Sequence, residues 1–122
     1  MSKTILAIDD SASMREILHA TLTAAGWQVS VATDGEDGLE RALRQTFDLV
    51  LTDQYMPKRS GLDVIAALRR EAAYAYTPIL VLTTEDGDAF KAAARAAGAT
   101  GWVEKPLDPQ TLTDLVATLL SA

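Results

Sequence analysis

The chain has 122 residues, 48 % hydrophobic and 23 % charged, with no cysteine and a formal net charge of −6. This is the size and balance of one globular domain with its own core, and it excludes a disulfide framework, a thiolate metal site and a cysteine nucleophile. The acidic balance, with no basic run longer than Arg69-Arg70, argues against direct attachment to nucleic acid or anionic lipid. No basic-then-apolar leader opens the chain and no apolar stretch approaches the ~20 residues needed to cross a bilayer, so a soluble, cytoplasmic protein is expected.

In chain order, Thr4-Ile-Leu-Ala-Ile8 reads as a strand that ends at Asp9-Asp10. Met14, Ile17, Leu18, Thr21, Leu22 and Ala25 follow with the i, i+3, i+4, i+7 spacing of a helix, which Gly26 stops. Gln28-Val-Ser-Val-Ala32 alternates as a less buried strand does. A second helix begins near Asp34-Gly35, with Leu39, Ala42 and Leu43 as its apolar positions. Asp48-Leu-Val-Leu-Thr52 is a strand closed by Asp53, and Leu62, Ile65 and Leu68 mark a helix that starts after Ser60-Gly61. Ile79-Leu-Val-Leu82 is a strand closed by Thr83, followed by a helix of Phe90, Ala93, Ala94 and Ala97 that ends at Gly98. Gly101-Trp-Val-Glu104 is the last strand, and Lys105 follows it. Asp108 caps the last helix, Pro109 takes its first position, and Leu112, Leu115, Val116 and Leu119 form its stripe. Strand and helix alternate through short connections, which predicts an α/β domain with a five-stranded parallel sheet and helices on both faces.

The apolar runs ending at Asp9-Asp10, Asp53, Thr83 and Lys105 are short, as strands buried on both faces are. Side by side in a parallel sheet, their C-terminal ends open on one edge, where open α/β sheets bind ligands. Three carboxylates, a hydroxyl and an ammonium then share a crevice. Carboxylates crowded together repel, and Mg2+, which takes oxygen ligands and retains several waters, is the usual remedy. A carboxylate beside such a cation is a nucleophile toward phosphorus. The charge on the transferred phosphoryl oxygens is then met by the metal, by Lys105 as a point charge and by Thr83 as a hydroxyl donor. Taken singly, each residue has a structural explanation: a helix-start anion pair, a turn aspartate, a helix cap, a solvated lysine. Their shared place at four strand ends is what points to phosphoryl chemistry.

These motifs resemble the receiver domains of two-component response regulators, and especially the stand-alone chemotaxis regulators of the CheY type. The resemblance spans 1–122 and rests on Ile8-Asp-Asp-Ser, on Asp48-Leu-Val-Leu-Thr-Asp53 with Met56-Pro57 and Gly61, on Leu82-Thr-Thr84 and on Lys105-Pro106. It implies a flavodoxin-like (βα)5 fold forming one receiver domain with no output domain. It also implies that Asp53 accepts a phosphoryl group from a CheA-like histidine kinase or a histidine phosphotransfer protein. Asp10, Asp53 and the Tyr55 carbonyl would bind Mg2+, with Asp9 acting through metal-bound water. Thr83 and Lys105 would contact the phosphoryl oxygens, and the Lys105–Pro106 bond would be cis. Thr83 and Trp102 would be the switch residues. The expected output is a phosphorylation-dependent protein contact made by a monomer, with a flagellar motor switch protein as favoured target. A relay role, passing the group to a histidine phosphotransfer protein, is the alternative.

Three positions depart from the commonest chemotaxis pattern: Tyr55 replaces a small polar residue, Trp102 replaces a tyrosine or phenylalanine, and Glu104 adds an acid beside Lys105. Strand alternation should point Glu104 away from the crevice, and the bulk of Tyr55 should obstruct water approaching the acceptor. Glu85 borders the same path. His19, the only histidine, lies off the apolar stripe of its helix and reads as a solvated surface residue. An aspartyl-phosphate phosphatase of the haloacid-dehalogenase type needs an acid at the position of Tyr55, so turnover of external substrates is not expected. A flavin carrier needs a Ser/Thr/Gly-rich phosphate loop where this chain has Asp9-Asp10.

Overall fold

The computed structural model describes residues 2–121. Strands β1 (Thr4–Ile8), β2 (Gln28–Ala32), β3 (Leu49–Asp53), β4 (Ile79–Thr83) and β5 (Gly101–Glu104) alternate with helices α1 (Ala12–Ala24), α2 (Gly35–Arg44), α3 (Gly61–Arg69), α4 (Asp88–Ala97) and α5 (Pro109–Leu120). The strands form one parallel sheet in the order β2-β1-β3-β4-β5. Its direction of winding reverses between β1 and β3, and this is the switch point at which such sheets open a crevice. The register, with Ile8 beside Thr52, Asp53 beside Leu82 and Thr83 beside Glu104, brings the C-terminal ends of β1, β3, β4 and β5 level.

Alternation along the strands divides the core into two layers. Leu6, Ile8, Val50, Ile79 and Val81 pack with Val64, Ile65 and Leu68 of α3 and Phe90 and Ala94 of α4. Ile5, Ala7, Leu49, Leu51, Leu80 and Leu82 pack on the other face with Leu18, Leu22, Leu112 and Val116 of α1 and α5. Four of the five helices start with a side-chain cap, in which Ser11, Asp34, Ser60 and Asp108 accept from the backbone N–H three residues on. The α4 start at Gly87 has none.

β3 and β4 are buried throughout, as expected of central strands. The two edge strands are less covered. β5 is covered less than its apolar sequence suggested, because it has a neighbour on one side only. β2 is half-buried along most of its length, the less buried strand its sequence predicts, although its burial does not alternate residue by residue. A 3-10 turn at Ala72–Tyr74 was not anticipated. It buries Tyr74, whose hydroxyl lies 2.7 Å from the Ala42 carbonyl and 2.9 Å from that of Gln45, and accepts from the Phe47 N–H at 3.2 Å. The turn thus ties the segment before β4 to the end of α2.

Candidate functional site: an acidic crevice at the strand ends

Asp9 directly follows β1, Asp10 is next to it, and Asp53 is the last residue of β3. One carboxylate oxygen from each lies within 4.8 Å of the other two. Asp9 is 1 % exposed and Asp53 6 % exposed, while Asp10 faces solvent. Asp9 Oδ1 accepts the Ser11 N–H at 2.9 Å, and the Arg15 guanidinium donates to the Asp9 carbonyl at 2.7 Å. Its second oxygen, Oδ2, is buried and has no hydrogen-bond partner among the described residues. Burial raises the Asp9 pKa above the ordinary carboxylate value. The charges of Asp53 and Asp10 add to this, against the Ser11 N–H and the Lys105 charge.

A buried carboxylate oxygen with no donor is costly. A hard cation among these oxygens would relieve it, and an all-oxygen donor set suits Mg2+. The sign of the pH dependence follows from the raised pKa. The Asp9 contribution to stability is present below the unfolded carboxylate pKa and is lost as pH rises through the folded one. Asp9→Asn is therefore expected to stabilise the metal-free protein at neutral pH by about 1–2 kcal/mol, or roughly 4–8 °C in melting temperature for a domain of this size. Thermal melts in chelator should show this gap closing as pH falls through the raised folded-state pKa toward 3.8, the ordinary carboxylate value, and no further change below it. Added Mg2+ should stabilise the variant less than the wild type. A variant less stable than wild type at pH 7 would contradict the assignment of strain to Asp9.

Gln54, the residue after Asp53, is held by three hydrogen bonds. The Gln54 N–H donates to the Leu82 carbonyl at 3.1 Å, the Gly61 N–H donates to the Gln54 carbonyl at 2.9 Å, and the Leu62 N–H donates to Gln54 Oε1 at 3.0 Å. The start of α3 is thereby fastened beside Asp53. The approach leaves no room for a side chain at Gly61, whose Cβ would stand 2.3 Å from the Asp53 carbonyl oxygen. Lys105 reaches across the crevice, with Nζ 2.8 Å from Asp53 Oδ1. Its own N–H donates to the Thr83 carbonyl at 2.8 Å, and the Lys105–Pro106 bond is cis. Thr83 is buried at the end of β4, where its hydroxyl accepts the Glu85 N–H at 3.0 Å. Asp9, Asp10, Asp53 and Lys105 therefore converge on one crevice, with Thr83 on its rim.

Tyr55 lies outside the crevice floor, and its phenol donates to the Glu85 carboxylate. Trp102 is half-buried against the α3–α4 layer. The Lys91 ammonium and the Arg95 guanidinium lie 5.9 and 5.8 Å from its ring centroid. Glu104 is exposed, as strand alternation requires, and so is His19. Sequence reasoning overlooked Gln54, Lys91 and Arg95. Gln54 carried a signal of a kind, as a polar residue between the buried β3 and an exposed loop.

An acidic triad closed by a lysine at the switch point of a (βα)5 sheet defines a signalling domain of the two-component type. Residues 5–117 match the response regulator receiver domain family, and the chain belongs to it. The fold is shared with the chemotaxis protein CheY4 of Vibrio cholerae, at a TM-score of 0.94 and 39 % identity over 98 % of this chain and 99 % of that one. A response regulator protein from Burkholderia multivorans is 68 % identical over 98 % of this chain and 95 % of its own, with a TM-score of 0.82. The transcriptional regulatory protein PhoP of Bacillus subtilis is 33 % identical over 98 % of this chain but only 49 % of its own length. The chain spans about half the length of the first curated relatives it matches. Among the described residues no helix is long and apolar enough to cross a membrane.

Proposed function

We propose that Asp53 accepts a phosphoryl group from a phosphohistidine, and that the chain signals by changing its affinity for a protein partner. The observation that carries this reading is the Asp53–Lys105 contact of 2.8 Å inside a crevice where Asp9 leaves a buried oxygen unpartnered. Asp9, Asp10, Asp53 and the Tyr55 carbonyl would hold Mg2+, with Asp9 acting through water. Bound there, the cation supplies positive charge to carboxylates and phosphoryl oxygens alike. An Asp53 carboxylate oxygen attacks phosphorus, the P–N bond of the phosphohistidine breaks, and the imidazole leaves with the electron pair. Lys105, now beside Asp53, turns to the phosphoryl oxygens, and the Thr83 hydroxyl donates to another.

The reaction serves only the protein's own phosphorylation and hydrolysis. Tyr55 stands where turnover of external phosphate esters would need an acid. The partners are a CheA-like histidine kinase or a histidine phosphotransfer protein upstream and a flagellar motor switch protein downstream. The chain acts as a cytoplasmic monomer. The likeness to a chemotaxis regulator over almost the full length of both chains supports the motor assignment.

The test is to mix the protein with a phosphorylated CheA-type kinase and Mg2+, then measure its affinity for a motor switch protein. Transfer to Asp53 with tighter binding is the expected result. Transfer followed by rapid loss of the group to a histidine phosphotransfer protein, with no change in motor binding, would assign the chain to a relay.

A further inference from the structure

Gln54 is a buried polar residue directly after Asp53, 9 % exposed. Its N–H and its carbonyl are spent on Leu82 and Gly61, which ties it to the end of β4 and to the start of α3. Its side chain adds a third tie, because Oε1 accepts the Leu62 N–H at 3.0 Å. The first N–H groups of a helix have no partner within it. In α3 those of Gly61 and Leu62 both go to Gln54, and that of Asp63 goes to Ser60 Oγ at 3.1 Å. No other helix among the described residues gives its first two N–H groups to one distant residue. The helix start also stands against the acceptor, since a Cβ at Gly61 would lie 2.3 Å from the Asp53 carbonyl oxygen.

We propose that Gln54 is a positioning residue whose side-chain carbonyl holds the start of α3 against Asp53 and so presets the acidic crevice for a divalent cation. The inference rests on the reading of Asp53 as phosphoacceptor and cation ligand. Carboxylates gathered on one cation must be held together against their mutual repulsion, and a site ordered beforehand spends less binding energy on its own ordering. Asp9 is fixed through the Ser11 N–H. Asp53 ends β3, and residues 54–60 separate it from α3. A strand end that runs into a loop is free to swing unless the loop is closed at its base. Gln54 closes it, and the bond to Leu62 is the one of its three that a substitution can remove. Without that acceptor the Leu62 N–H turns to water, the helix start is released, and Asp53 must be ordered when the cation binds.

The test compares wild type with Gln54→Met, which keeps the length of the side chain and loses the acceptor, and Gln54→Glu, which keeps an oxygen for the Leu62 N–H. Tyr74→Phe is the control for general loosening, because the hydroxyl it removes lies before β4, at the edge of the sheet opposite the crevice. Mg2+ is titrated into each metal-free protein by calorimetry, and labelling by acetyl phosphate is followed by intact mass. Gln54→Met should bind Mg2+ roughly fivefold more weakly, the scale of one net hydrogen bond, and should label more slowly at limiting Mg2+. Gln54→Asn, one carbon too short to reach Leu62, should do the same and stands in where Gln54→Met folds poorly. Gln54→Glu should bind at least as tightly as wild type, since a negative charge also suits a helix start. Tyr74→Phe should melt at a lower temperature with its Mg2+ affinity unchanged.

Wild-type affinity in Gln54→Met and Gln54→Asn would overturn the proposal, and so would a Gln54→Glu protein as weak as Gln54→Met. A loss of Mg2+ affinity in Tyr74→Phe equal to that in Gln54→Met would reduce the effect to lowered stability and overturn it too. A wild-type protein that takes up neither Mg2+ nor label would remove the phosphoacceptor reading itself. Wild-type binding and labelling that Gln54→Met leaves intact would remove only the positioning role.

Discussion

Asp53→Asn is expected to abolish labelling by acetyl phosphate, and wild-type labelling is expected to vanish in chelator. The crevice explains both results. Asp53 is nearly buried, and its Oδ1 is paired with the Lys105 ammonium at 2.8 Å. Asp9 and Asp10 contribute oxygens within 4.8 Å of it. Three carboxylates against one ammonium leave the site with excess negative charge, and an anionic donor cannot approach until a cation offsets it. Asparagine is nearly the same shape and retains a carbonyl oxygen for Lys105, but it lacks the nucleophilic carboxylate. Its fold should therefore survive while phosphorylation is lost, a drop of at least about 100-fold on the scale of a removed nucleophile. Intact-mass measurement reads the added phosphoryl group directly. Labelling of Asp53→Asn at the wild-type level, or labelling that resists chelator, would sink the assignment.

Much of this site was legible because parallel strands make position along the sequence equivalent to position in space. An apolar run ending in Asp53 and another ending in Thr83 had to place both residues on one edge once the sheet was parallel, and the register does so. Lys105 was legible for the same reason, one residue beyond β5. What escaped depends on the path of loops and the phase of one element against another. Gln54 carries no motif, and its role follows only from the turn that returns Leu62 to its side chain at 3.0 Å. Tyr55 and Glu85 could be placed beside the same crevice, but their hydrogen bond depends on two irregular loops. Tyr74 lies in a segment without periodicity, and its hydroxyl is held by Ala42, Gln45 and Phe47, at and just beyond the end of α2. Lys91 and Arg95 each follow an inward residue of α4, Phe90 and Ala94, and their meeting with Trp102 depends on how α4 lies against β5.

That meeting sets the expectation for Trp102. A tryptophan on a short strand is ordinarily apolar packing, and Trp102 does border the α3–α4 layer. Two cations over its ring, at 5.9 and 5.8 Å from the centroid, also hold it where it is. Such contacts are worth about 0.5–1 kcal/mol each at exposed sites. A shift of Trp102 inward, following Thr83 toward the phosphoryl group, must overcome roughly 1–2 kcal/mol, which biases the resting state about 5–30-fold outward. In a Trp27→Phe background, where Trp102 is the only indole, beryllofluoride with Mg2+ should shift the emission. Lys91→Ala with Arg95→Ala should move part of that shift into the unphosphorylated protein, because the outward position loses its hold. Trp102→Ala should still take phosphate at Asp53 while losing the phosphorylation-dependent gain in partner affinity. Emission that ignores beryllofluoride, together with normal partner binding by Trp102→Ala, would make the indole core packing and place the output surface elsewhere. Emission that responds while removal of both cations changes nothing would leave Trp102 a switch and deny the cations their hold on it.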